Sequence, residues 1–227
     1  MTADIKYFIG YLENEKKASK NTVISYQRDL VQLAAYLEAK GITEAEKVTK
    51  TSLNSYILYL EKEGKATTTI SRELASIKAF FHYELREGRI RRDPAEFIKA
   101  PKVEKKAPVI LTVNEVNALL CQPGDRTPKE LRDKAMLELL YATGIRVSEL
   151  ISLKLTDVNM QVGYITCRDR SKERMVPFGK NARQALVQYM GEARTELLKG
   201  KNSDWLFTNC NGQAMSRQGF WKLIKQY

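Results

Sequence analysis

Histidine is almost missing from this sequence: 227 residues contain one, His82. A metal centre built from imidazole therefore has no ligand set to draw on, and neither metal nor cofactor is expected. Cysteine is as sparse. Cys121, Cys167 and Cys210 are odd in number, far apart and without CxxC spacing, which argues against a disulfide framework or a zinc site and assigns all three to buried small hydrophobes. No apolar run approaches the roughly 20 residues that cross a bilayer, and Met1-Thr2-Ala3-Asp4 lacks the regions of a secretory signal. A cytoplasmic protein with no membrane partner is expected. Acid is also in short supply, with 27 Asp and Glu against 38 Lys and Arg, a net charge of +11. That balance favours a polyanionic partner. The excess is spread, since residues 1–108 carry 20 bases and 15 acids and residues 109–227 carry 18 and 12, so both halves could face one partner.

What is present begins as helix after helix. Ile5, Phe8, Ile9 and Leu12 recur at helical spacing; a second run places Ile24, Leu30, Leu33, Ala34 and Leu37 inward and stops at Gly41. Leu53, Tyr56, Ile57 and Leu60 repeat the pattern before Gly64, and Ile70, Leu74, Ile77, Phe81 and Leu85 repeat it before Gly88. Residues 1–92 therefore read as a four-helix bundle. Residues 93–108, with three of the six prolines nearby and no sustained periodicity, read as a linker, either a solvated connector or a basic strap along a phosphate backbone.

The texture changes over residues 109–227. Thr112-x-x-Glu115 has capping-box spacing, and a longer helix from about Pro128 to Thr143 places Leu131, Ala135, Leu139 and Leu140 on its apolar side. Val162–Cys167 and Arg174–Pro177 read as antiparallel strands joined across Arg168–Glu173. A helix over about Lys180–Leu198 follows. Trp205–Thr208 suits an extended segment, and Ser216 suits the N-cap of a final helix through Phe220, Leu223 and Ile224. The fold class is mainly α with a small antiparallel β-sheet.

Two basic motifs carry the chemistry. In ATGIRVSEL (Ala142–Leu150), Gly144 is expected to end one helix left-handed so that Arg146 projects from the start of the next, with Glu149 three residues on. RSKERMVP (Arg170–Pro177) brings Lys172 to a hairpin tip. An arginine fork suits phosphate oxygens, and a lysine ammonium can also release a proton to a leaving oxygen. A surface Arg–Glu helix pair and a solvated charged turn explain the same residues without function. Tyr26, Tyr56, Tyr59, Tyr83, Tyr141 and Tyr189 fall at helical spacing and read as core positions, and His82 as a helix-surface or core-edge residue.

ATGIRVSELISLKLTDV followed by SKERMVPFG, behind NTVISYQRDL and ISRELASIKAFFHYELREG, resembles the tyrosine recombinases, particularly the Xer and phage-integrase-like members, from Ile5 to Tyr227. The resemblance implies an N-terminal SAM-like core-binding domain and an α+β catalytic domain that close as a C-shaped clamp on duplex DNA. A tyrosine would attack a backbone phosphate, giving a 3′-phosphotyrosyl link, and protomers would exchange strands as a tetramer on two DNA sites. It implies Arg146 as the first catalytic arginine, Glu149 as its supporting acid and Lys172 as the general acid. The family's His-x-x-Arg box and nucleophilic tyrosine follow the segment resembling FWKLIKQY (Phe220–Tyr227), so no nucleophile is assigned, Tyr227 reads as packing, and a truncated chain that binds without cutting is expected. An inactive DNA-binding regulator competing at recombination sites is the alternative. Chromosome-dimer resolution and mobile-element integration are not separated. Further DNA contacts are expected from Thr22, Tyr26 and Arg28 near the start of the second helix and from Thr69, Arg72 and Lys78 on the fourth, although ordinary capping explains the hydroxyls equally.

Overall fold

The structure, a computed structural model, describes residues 1–102, 107–169 and 172–227. It separates into two compact units, Met1–Ala107 and Pro108–Tyr227.

The first unit is built from α1 (Thr2–Asn14), α2 (Lys20–Glu38), α3 (Lys50–Lys62) and α4 (Thr67–Arg86). Ser19 caps α2 by accepting from the Thr22 amide at 3.1 Å, and Thr49 and Ser52 cap α3 reciprocally. Phe8, Leu30, Leu33, Leu37, Leu53, Tyr56, Leu60, Phe80 and Phe81 are all at most 1% exposed, and Phe8 meets Phe80 edge-on at 5.7 Å. Burial of each such side chain contributes about 1.5–3 kcal/mol, which holds four short helices that would be marginal alone.

Two inward assignments are corrected. Ile24 is 49% exposed and Val23 is buried in its place, because Val23, Leu30 and Leu37 fall on one stripe and Ile24 stands about 100° round the helix from it. Leu85 is likewise exposed, since the last turn of α4 directs Phe80, Phe81 and Glu84 inward. The segment that reads as a linker is partly packed: Ala95 and Ile98 join the first core. Residues 103–106 of that segment lie outside the described residues.

The second unit holds α5 (Val113–Cys121), α6 (Pro128–Thr143), α7 (Val147–Ile151), β1 (Val158–Asn159), β2 (Tyr164–Asp169), β3 (Lys172–Pro177), α8 (Lys180–Gln188), α9 (Arg194–Leu198) and α10 (Arg217–Gln226). A 3-10 turn, Leu155–Asp157, precedes β1, and a π turn, Tyr189–Ala193, joins α8 to α9 within the single helix expected there. Capping boxes at Thr112/Glu115 and Thr127/Glu130 open α5 and α6. Helix α6 is central, packed against α5, α7, α8 and α9. It is therefore buried beyond one stripe: Ala135, Met136 and Leu139 are fully covered, Leu131 and Leu140 only partly, and Arg132 and Asp133 are buried too.

The antiparallel sheet runs in the order β1-β2-β3, with β2 and β3 in register from Tyr164 opposite Pro177 to Asp169 opposite Lys172. Both hairpin strands reach further toward the tip than the apolar pattern predicts. Charged residues extend them, because Arg168 donates across the strands to Glu173 Oε1 at 2.6 Å. Arg170 and Ser171, part of the second motif, lie outside the described residues. Trp205–Thr208, expected to be extended, bends at Leu206 and Phe207 and makes isolated bridges at its ends, Trp205 to Lys154 and Thr208 to Ala214. Ser216 caps α10, accepting from the Gly219 amide at 3.0 Å.

Of the cysteines, only Cys167 is buried; Cys121, at the end of α5, and Cys210, in the Asn209–Gly212 turn, are exposed and correct the expectation for all three. Tyr141 (61% exposed) and Tyr59 also depart from the core positions that their spacing suggests, whereas Tyr56, Tyr83 and Tyr189 are buried.

Candidate phosphate-binding site

The turn between α6 and α7 is made by Gly144, whose backbone is left-handed (φ 60°, ψ 21°) and whose amide still donates to Leu140 O at 2.9 Å. An L side chain would be strained there. Ile145 then anchors the chain in the core at 5% exposure, and Arg146, in extended backbone, begins α7 with its side chain 72% exposed. The first motif thus presents a guanidinium to solvent from a fixed base.

Glu149 organises this corner. Its Oε2 accepts the Arg146 backbone N–H at 2.8 Å, and its Oε1 lies 3.7 Å from the Arg146 guanidinium. The stronger partner is Arg174 on β3, which donates through Nη1 to Oε1 at 2.8 Å and through Nη2 to Oε2 at 2.9 Å. Such a two-pronged fork is geometrically specific. Arg174 foremost, and the Arg146 amide after it, hold the Glu149 carboxyl below its ordinary range, against the opposing pull of burial. The carboxylate stays charged at neutral pH.

Lys172 is exposed at the start of β3, paired in register with Asp169 of β2. A second tie holds β2: Arg168 is ion-paired with buried Asp157, which also accepts the Lys154 amide at 2.8 Å. Glu149, Asp157, Thr166, Cys167, Arg168 and Trp205 line a cleft of about 440 Å³ behind the hairpin. Sequence reasoning finds Arg146, Glu149 and Lys172 but passes over Arg174 and Asp157 as partners. Alternation along β3 was the available signal for Arg174, because residues 172 and 174 share one face of a strand.

Tyr227 is partly buried against the second core, and its hydroxyl donates to Asp133 Oδ2 at 3.1 Å. Burial first, and the Asp133 carboxylate next, push its phenol up to about 12. Asp133 Oδ1 accepts from Arg132 Nε at 2.8 Å and Nη2 at 2.7 Å, and Arg132 Nη1 reaches Thr208 O at 3.1 Å. Tyr189 is fully buried and donates to Leu206 O.

The remaining candidates lie in the first unit, in two groups. Thr22 is the partner of the Ser19 cap, its Oγ1 at 2.9 Å from Ser19 Oγ; Tyr26 is half-buried and stacks on Phe8; Arg28 is exposed. On α4 no side chain caps the helix at Ala66, so capping does not account for the hydroxyls of Thr67, Thr68 and Thr69. Arg72 is ion-paired with buried Asp29, and Lys78 is half-buried with Nζ 3.5 Å from Glu96 O. His82 is exposed on the same helix. No cluster of three or more metal-binding side chains occurs among the described residues, and no helix there is long and apolar enough to cross a membrane.

Comparison with known proteins bears on both units. Residues 5–88 match the phage integrase N-terminal SAM-like domain and residues 110–227 match the phage integrase family. The tyrosine recombinase XerD of Halalkalibacterium halodurans is 41% identical over 225 residues, an alignment covering 98% of this chain and 75% of that protein. Among solved structures, the Tn1549 transposon integrase in complex with circular intermediate DNA superposes with a TM-score of 0.69 at 18% identity, over 99% of this chain and 78% of that one. A lambda integrase tetramer bound to a Holliday junction gives 0.70 at 18% identity, over 98% and 62%. These two solved structures share the fold. A helical unit before a helix-and-hairpin unit with Arg146 and Glu149 at its turn, matched over nearly its whole length by XerD, makes this chain a member of the phage integrase family of tyrosine recombinases.

Proposed function

We propose that this protein binds duplex DNA through both units and that its second unit holds the scissile phosphate of a site-specific recombination reaction. The observation that carries this reading is the Arg146–Glu149–Arg174 corner, which presents an exposed guanidinium from a backbone fixed by Gly144 and Glu149. Negative charge grows on the nonbridging oxygens as phosphate becomes five-coordinate, and a preset cation binds that state better than the ground state. Arg146 takes this role, Glu149 supports it, and Lys172 gives a proton to the departing 5′-oxygen. Loss of one such donor typically costs about 10²–10³ in rate. In the first unit, Arg28, Lys78 and the uncapped threonine turn of α4 that includes Thr69 contact phosphates, with Thr22, Tyr26 and Arg72 beside them. The protein works in the cytoplasm, and protomers assemble as a tetramer on two DNA sites.

No nucleophile is assigned among the tyrosines of the second unit, and binding without cleavage is expected on that ground. Tyr189 is buried, and Tyr227 is turned onto Asp133 with its proton held tightly. The test is twofold. Fluorescence anisotropy on duplex DNA across salt concentrations gives a log affinity falling by about 0.9 per neutralised phosphate for each log unit of salt. Incubation with a nicked suicide duplex gives no covalent adduct. An adduct mapped to Tyr141, Tyr164 or Tyr227 would sink the non-cleaving reading, and salt-insensitive or absent binding would sink the DNA reading itself.

A further inference from the structure

We infer that Arg174 is a positioning residue: it sets where Lys172 stands relative to Arg146 by tying β3 to α7 through Glu149. The inference rests on the proposed phosphate site. Glu149 is a shared acceptor, one carboxylate receiving the backbone amide of Arg146 at 2.8 Å and both prongs of Arg174 at 2.8 and 2.9 Å. Arg146 and Lys172 have no covalent reason to keep a fixed separation, since the 25 intervening residues include α7, a 3-10 turn and two strands. Arg174 closes that loop. It lies two residues from Lys172 on the same strand, hence on the same face, within about 7 Å along the chain.

The tie is local to the tip. At the other strand, Arg168 holds β2 to Asp157 and crosses to Glu173, so β2 is anchored without Arg174. What Arg174 adds is a direct tie from β3, the strand that carries Lys172, to α7. A lysine at position 174 can supply the charge but not the fork, because an ammonium has no second coplanar donor to match the carboxylate. Catalytic geometry is sensitive to displacements of about 1 Å, so a lost tie is felt at the phosphate although Arg174 itself does not contact it.

Two measurements on the full chain test this. Without DNA, carbon-13 NMR of the Glu149 carboxyl gives a titration that moves up toward the ordinary carboxylate range in Arg174→Met, with a shift of the Arg146 amide resonance. No change in either overturns the tie. With duplex DNA, Lys172→Ala lowers the salt slope by about 1, as for one lost phosphate contact. Arg174→Met lowers it comparably alone and adds nothing in the Lys172→Ala background, while Arg174→Lys lies between. An equal loss in both backgrounds makes Arg174 a phosphate ligand in its own right and overturns the inference. So does an unchanged slope in Arg174→Met or in Lys172→Ala while the wild type binds. Failure of the wild type to bind instead sinks the phosphate site, and the free-protein titration still decides the tie.

Discussion

Tyr227 and Asp133 meet at 3.1 Å, phenol to Oδ2, on a carboxylate whose other oxygen takes two donors from Arg132. The last residue of α10's flank is thereby joined to the second residue of a buried charge pair on α6. Tyr227→Phe removes a donor and leaves Oδ2 short, at an expected cost of about 1 kcal/mol in urea denaturation with DNA affinity unchanged. The difference spectrum at tyrosine's ionisation wavelengths between the two proteins places this phenol's titration at about 12, beyond ordinary phenols.

Arg72 and Arg28 separate stability from binding within the first unit. Arg72 neutralises Asp29, which is 2% exposed and also accepts from Ser76 Oγ, so Arg72→Met strands a buried carboxylate and costs about 3 kcal/mol. Arg28 is exposed, and Arg28→Ala stays within about 0.5 kcal/mol while weakening DNA binding. Urea denaturation and anisotropy on the same samples check both halves.

Acid is expected to loosen the α7–β3 corner. The folded-state carboxyl of Glu149 titrates below its unfolded value of 4.5, so its contribution is full above that pH and fades as pH falls through the lower, folded value. Glu149→Gln removes that part of the pH dependence below about 4.5 and costs about 1–3 kcal/mol at pH 7, read from denaturation midpoints in each buffer.

Leu186 on α8 is fully buried where α8 packs against α6. Leu186→Ala is expected to destabilise the protein by about 2–5 kcal/mol, the transfer loss plus an unfilled cavity. Thermal and urea unfolding give the figure.

Much of this was legible in the chain. Helical periodicity found the four helices of the first unit because each buries one stripe, and capping chemistry located the starts of α5 and α10. Periodicity placed Ile24 wrongly because Val23 beside it is equally apolar, and only the packing phase chooses between neighbours. Strand β1, two residues long, has no period to read, and its pairing with β2 is a long-range fact. In the candidate site, the motif residues Arg146, Glu149 and Lys172 could be named, but Glu149 was paired in sequence with its near neighbour. Its two-pronged side-chain partner is Arg174, 25 residues away, brought there by the hairpin. The roles of Thr22 and Arg72 were obscured for a related reason: hydroxyls and guanidinium groups serve caps and buried carboxylates with the same atoms that would serve phosphate.

The π turn at Tyr189–Ala193 has a consequence for length. Widening one turn by a residue rotates everything downstream by about 100°, and Leu197 and Leu198 reach the interior, and Arg194 the carbonyls of Ser203 and Trp205 at 2.6 and 2.7 Å, from that rotated phase. Closing the π turn into a regular helix at unchanged length would turn both leucines toward water, whereas removing Gly191, where an added Cβ would meet nothing, would cancel the widened turn and leave their phase unchanged. At this point the protein depends on a residue count rather than a residue type.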